Sequence, residues 1–427
     1  MNEQELIDWC EKIAKNGISQ HDDSWLRAKQ CTVGGSSIAI LDGSNTFNTL
    51  YNYIATKLGL AKFESDVKPQ WGNLFEPIIQ LEVEIQWRCK VYGEDLYIEG
   101  EAYGTSYSPD GLAFIDEKVI LLEFKCPYSR IPGKLPPKYY VPQVKMGLCM
   151  TPATEGLYVE AVYRRCSWNC LGPVPGFDLT LVDKPKTGNP VSYGFIGFYA
   201  DAESIAAGVS AINAGRIEFI EDLSEYDDDG GDGGDGGDGG DGGCGDGGCG
   251  DGGCGDGGCG DGSCGDNGTP DDALVTTLTV PGYLDEYRQS NAMNDIGSSS
   301  PRLFKNLMML VDKGYIKAWH GKIHKEQNVN RANALLNEEL QSYREFCAEN
   351  NRVNYGILPW KLLRLESHKI ERDPEFLTPY LPNIKKIIDF VKQWKDSNDD
   401  EKKRTALNQF IAEYYRNGLA EYDDDDC

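Results

Sequence analysis

The chain has 427 residues, 40% of them hydrophobic and 26% charged, with a formal net charge of −26. That length exceeds one ordinary core and predicts more than one domain. No run reaches the roughly 18 apolar residues that would span a bilayer, and the charged, amphipathic stretch Met1–Lys15 lacks the pattern of a secretory signal. The expectation is an intracellular, non-secreted protein without membrane partners.

The charge is unevenly spread. Removing the fourteen Asp of 227–272 and the four of Asp423–Asp426 leaves about −8 for the remainder. The acidity therefore decides nothing about nucleic-acid binding by the folded part, since a local basic groove can sit on an acidic protein.

In chain order, residues 1–200 read as one unit. Ser36–Leu60 opens on a Gly-Gly-Ser-Ser turn and continues at helical spacing, and Trp71–Trp87 predicts a helix running into a strand. Leu96–Lys125 carries strand signals broken by turns at Ser108-Pro109-Asp110-Gly111 and Asp116-Glu117-Lys118. Tyr139–Met150 predicts a helix, and Gly156–Tyr163 and Tyr193–Tyr199 predict buried strands. The order implies an α/β fold, a central mixed sheet flanked by helices.

Residues 201–226 predict a helical segment. The tract 227–270 is a Gly/Asp/Cys repeat with almost no apolar content, so the expectation is a disordered linker. It holds five of the fourteen cysteines, and Cys166-x-x-x-Cys170 lacks a second pair to complete a zinc site. Free thiols are expected. Residues 271–352 predict a helical insertion, in which Ser300–Trp319 has a helix-then-wing pattern with Arg302, Lys305, Lys313 and Lys317 able to meet phosphates. A helical insertion with a solvated basic face explains the same residues. Tyr355–Arg372 alternates as strands do, within a segment 353–395; 396–427 predicts a charged helix and an acidic tail.

The chemistry concentrates in Tyr107-Ser-Pro-Asp110-Gly-Leu and Val119-Ile-Leu-Leu-Glu123-Phe-Lys125-Cys-Pro. Val119–Lys125 predicts a buried strand, on which Glu123 and Lys125 share a face. A Glu and a Lys there are costly without partners, and Asp110 in the preceding turn can reach them. Two carboxylates, joined by the Phe124 main-chain carbonyl, suit a hard divalent cation: Mg2+, with Mn2+ as the alternative. Lys125 would orient water or offset charge on a phosphodiester. The bare spacing is equally that of an ordinary Glu–Lys pair at a strand end. The surrounding residues carry the decision.

These blocks resemble the YqaJ-like viral recombinase family, the lambda-exonuclease-like branch of the PD-(D/E)xK nucleases, over roughly Trp25–Tyr199. Ser108-Pro-Asp110-Gly-Leu112 and Leu122-Glu123-Phe-Lys125-Cys-Pro127 are similar to its catalytic signatures. Trp71-Gly-Asn-Leu-Phe-Glu76-Pro77 resembles its helix with a metal-binding Glu, and Tyr140-Val-Pro-Gln143-Val144 its helix with a Gln beside the catalytic Lys. Trp25-Leu-Arg27-Ala-Lys29 with Gly34-Gly-Ser36-Ser37 resembles the segment that holds a DNA 5′-phosphate, with Arg27 or Lys29 as the cation and Ser36 at the turn. The late segment Tyr355–Phe376 also resembles viral members, implying that 353–395 returns to complete the nuclease domain.

The resemblance implies a restriction-endonuclease-like core and 5′-to-3′ exonuclease action on double-stranded DNA ends. It implies a single-strand annealing protein as partner and a trimer. The competing functions are an endonuclease on the same core and an inactive DNA-end-binding protein. The four histidines, His21, His320, His324 and His368, lie outside every matched block.

Overall fold

The computed structural model describes residues 1–15, 17–18, 23–61, 67–128, 130, 132–166, 168, 171, 192–217, 296 and 301–419. The 227–270 repeat and the acidic tail lie outside them. The fold is mixed α/β. A seven-stranded sheet runs in the order β2 (Val91–Tyr92), β5 (Gly111–Ile115), β6 (Lys118–Lys125), β7 (Glu155–Arg165), β10 (Val353–Glu371), β8 (Tyr193–Ala200) and β9 (Lys317–His320). Among the described strands of this sheet only β6 and β7 pair in parallel; their connection contains helix α6 (Val141–Met150). A small sheet joins β1 (Val33–Gly34), β4 (Thr105–Tyr107) and β3 (Ile98–Glu99).

The β5–β6 hairpin turns at Asp116 and Glu117, both at positive φ (49° and 63°), which fits the right-handed twist of the two strands. On β6 every residue from Val119 to Phe124 is buried. Its even positions, Ile120, Leu122 and Phe124, join the core beneath helix α5 (Val67–Trp87), with Trp71, Phe75 and Ile78. Its odd positions Val119 and Leu121 pack with Tyr107, Val144 and Leu148 on the α6 side. A strand covered on both faces needs a continuous apolar run, which Val-Ile-Leu-Leu supplies.

One expectation needs correction. Trp71–Trp87 does not pass into a strand; α5 is one 21-residue helix with Pro77 inside it. Leu81, Val83 and Ile85 alternate like a strand, but only Val83 is buried, while Leu81 and Ile85 are 37% and 52% exposed. The strand expected over Tyr355–Arg372 is β10, one continuous strand over Val353–Glu371. It pairs with β8 through Val353–Lys361 and with β7 through Trp360–Glu371. Register shifts near Gly356 and between Leu362 and Arg364 let one long strand follow two neighbours.

Lys317–His320 pairs with β8 at the far edge of the main sheet, ahead of a long helix, Val329–Glu349. The helix Leu381–Trp394 lays Ile384, Ile387, Ile388 and Val391 on Ile38, Leu50 and Ile54 of the N-terminal helices, α3 (Ile38–Leu41) and α4 (Leu50–Lys57). Among the described residues no helix is long and apolar enough to cross a membrane. Seven described cysteines, from Cys10 to Cys347, are free thiols.

Candidate active site

β4 feeds through Ser108 and Pro109 into Asp110, immediately ahead of β5. Gly111 pairs with Leu122, so the antiparallel register sets Asp110 against Glu123. Asp110 is fixed there: its Oδ2 accepts from the Phe124 amide at 2.7 Å. Glu123 and Lys125 project from one face of β6, as period two requires. Lys125 Nζ donates to Glu123 Oε1, donates to the Phe124 carbonyl at 3.0 Å, and lies 3.6 Å from Asp110 Oδ2. One ammonium thus touches three of the four oxygen groups that the sequence pointed to as cation ligands, Glu76 being the fourth. The ring of Tyr140 lies 5.3 Å from the same nitrogen.

Gln143 is delivered by the first turn of α6, where Pro142 fits because the first-turn N–H groups have no helical partner. Its Nε2 donates to Glu123 Oε1, and Tyr107 Oη donates to Glu123 Oε2 at 3.0 Å. Glu123 is fully buried, so each oxygen has a donor, as a buried carboxylate requires.

In front of this cluster opens a cleft of about 440 Å³. Its walls include Glu76, Asp110, Lys125 and Gln143, together with Trp25, Lys29, Gly35, Ser36 and Ser106. Glu123 does not line it; it stands behind Lys125. Glu76 comes from the middle of α5, where burial, then the charges of Asp110 and Glu123, push its carboxyl well above the usual carboxylate range, against the pull of Lys125. Glu123 is raised by burial and Asp110, again partly offset by Lys125.

On the same wall, burial lowers Lys29 to about 8, with Asp110 opposing the shift. Its ammonium sits 3.9 Å from the Trp25 ring centroid, and Trp25 Nε1 donates to Ser108 Oγ at 3.2 Å. Ser36 lies in the 3₁₀ turn Gly35–Ser37. Lys57 supports this part of the wall: its Nζ donates to the carbonyls of Lys29 at 2.5 Å and Thr32 at 2.8 Å. These caps close α2 (Asp23–Gln30), the helix that presents Lys29. Arg27 does not join them. It is exposed and absent from the cleft wall, because residues two apart on a helix face different ways.

The structure therefore brings Glu76, Asp110, Lys125 and Gln143 to one cleft with Lys29 and Ser36, with Glu123 and the Phe124 carbonyl directly behind Lys125. Sequence reasoning missed Tyr107, Lys57, and the cleft residues Asn73, Glu94 and Asp95. Tyr107 had a signal, its position beside Ser108-Pro-Asp110; the others depend on packing across distant segments. None of the described histidines lines the cleft, and Cys126, with its thiol pushed up to about 12 by burial, is inert there.

Among the described residues no group of three His, Cys, Asp or Glu stands as a ready-made metal cage. The donor chemistry nonetheless suits a hard cation. The cleft wall carries Glu76, Glu94, Asp95 and Asp110 against Lys29 and Lys125. That excess of oxygen anions would repel a polyanionic substrate unless cations offset it.

The site is an acidic, lysine-bearing cleft at a strand end of a central sheet, and part of the chain is similar to known proteins. Residues 24–154 match the YqaJ-like viral recombinase domain. A protein of African swine fever virus, from the Pretoriuskop isolate, is 28% identical over 223 residues, covering 46% of this chain and 64% of the relative. The same protein from the Badajoz strain is 28% identical over 224 residues, covering 65% of its length. The chain thus spans a little less than two thirds of these relatives. Among solved structures, an alkaline exonuclease from Laribacter hongkongensis is 23% identical, over 33% of this chain and 74% of its own, with a TM-score of 0.28. A structure titled SSO0001 is 14% identical over 36% of this chain and 70% of its own, with a TM-score of 0.23.

Proposed function

We propose that the protein is a metal-dependent deoxyribonuclease that hydrolyses phosphodiester bonds at the ends of double-stranded DNA, working from 5′ to 3′. One observation carries the reading: Asp110, Glu123 and Lys125 meet at a single strand end, beside a cleft whose wall also carries Lys29 and Ser36. Asp110, Glu123, the Phe124 carbonyl and Glu76 would hold Mg2+, with Mn2+ as a substitute. When bound, the ion would lower the pKa of a water and offset phosphate charge.

Everything else falls to the chain. Gln143 and Tyr107 keep Glu123 oriented; Lys125, released from Glu123, is the cation nearest the reacting phosphate, where it orients the attacking water. Lys29 and Ser36 would hold the terminal 5′-phosphate, the ammonium as a point charge and the turn through its N–H groups. The nuclease unit is read as extending past the matched segment to 353–395, a reading supported by the place of β10 between β7 and β8. The annealing-protein partner and the trimer belong to the same reading and rest on the family resemblance.

The test is digestion of duplex DNA by purified protein with Mg2+. Linear DNA should be degraded and closed circles left whole, with a 5′ label released before a 3′ label. Cutting of the circle would replace this reading with an endonuclease. Intact linear DNA at every metal concentration would refute it.

A further inference from the structure

Tyr107 is buried at 2% exposure between two glycines from separate segments. A Cβ at Gly35 would come within 2.6 Å of its ring, and one at Gly147 within 2.4 Å. Real side chains do not pack so closely, so the ring lies flush against the backbone of the Gly35–Ser37 turn and of α6. These two segments present Ser36 and Gln143 to the cleft. The ring therefore fixes the spacing between these two segments. Phenylalanine would fill the same slot equally well.

What the hydroxyl adds is one bond, to Glu123 Oε2 at 3.0 Å. The other oxygen of Glu123 carries both Gln143 and Lys125. A carboxylate held at one oxygen by a fixed phenol presents its second oxygen in one direction only, here toward Lys125 and the cleft. Bonds to an ionised acceptor are the stronger and more directional kind. Tyr107 begins no turn and pairs with Ile98 on the small sheet, so the hydroxyl has no part in the β4 ladder.

We propose that Tyr107 is a positioning residue, whose hydroxyl holds Glu123 in the orientation needed to take a divalent cation when Lys125 moves aside. The assignment rests on the reading of Glu123 as a metal ligand. Residues that orient a ligand typically contribute about 10–100-fold to metal affinity.

The test compares full-length protein with its Tyr107→Phe and Glu123→Gln variants, titrating each with Mn2+ by calorimetry without DNA. Thermal unfolding without metal is followed in parallel. Tyr107→Phe should weaken Mn2+ binding about tenfold or more while staying folded at the temperature of the titration. Equal affinity in parent and Tyr107→Phe, with binding lost in Glu123→Gln, overturns the Tyr107 assignment alone. Unchanged binding in both variants overturns the metal-site reading with it. A Tyr107→Phe protein that is unfolded without metal at the temperature of the titration also overturns the assignment, because the hydroxyl would then serve the fold.

Discussion

Two fully enclosed glutamates make an instructive pair. Glu339, on the helix Val329–Glu349, accepts from His324 Nε2 and from the Lys322 amide, and it closes the loop behind β9 onto that helix. Glu123 likewise has every oxygen partnered. The difference lies in the company. Glu339 meets a histidine and a backbone amide; Glu123 meets a lysine in the presence of Asp110 and Glu76, whose charges oppose its own. A carboxylate kept for the fold is surrounded by donors. One kept for chemistry is also crowded by like charge, a cost to stability that a bound cation would reverse.

The largest effect that could break this contrast comes from Glu123→Gln. End hydrolysis should fall roughly a thousandfold, while the thermal midpoint stays close to the parent's. A variant that loses stability and keeps its rate would make Glu123 another Glu339. Glu339→Ala should do the reverse, costing about 2–3 kcal/mol in chemical denaturation because it strands His324 and an amide. Its rate per folded molecule should match the parent's, as an active-site titration against denaturant-corrected protein would show.

Lys125→Met sharpens the comparison further. It should abolish hydrolysis yet bind Mn2+ at least as tightly as the parent, since the ammonium that touches three of the four ligand groups is gone. Weaker Mn2+ binding would mean that Lys125 supports the cation site instead of competing for it. The smallest effect concerns Lys29 on the cleft wall. Lys29→Ala should weaken binding of a 5′-phosphorylated duplex, measured in Ca2+ by anisotropy, by about tenfold, whereas Arg27→Ala should change it less than about twofold. Equal losses would return both residues to the phosphate site.

The legible part of this site was its local part. Glu123 and Lys125 share a face because strand period is two, and Asp110 reaches them across a tight hairpin; both follow from a dozen neighbouring residues. Glu76 and Gln143 were readable only because their flanking motifs are similar to a family's. Tyr107 was in view but silent, since its meaning comes from Gly35 and Gly147, brought to its ring by segments far apart in sequence. Lys57 acts through carbonyls of another helix, and no side-chain pattern reports that. For the fold, Leu81 and Ile85 misled because exposed apolar residues imitate a strand's alternation. The ambiguity between Arg27 and Lys29 needed only helical geometry once α2 existed.

The place of β10 has a consequence for how the protein is made. Its residues, Val353–Glu371, leave the ribosome long after the β7 and β8 segments that flank them. Until they arrive, each of those flanks is an open sheet margin able to recruit a stray chain. The nascent polypeptide must wait some 150 residues between β8 and the piece that seals it. Truncations ending before Val353 should accordingly collect in inclusion bodies, and slow refolding of the whole chain is the expected kinetic signature of so distant a partnership.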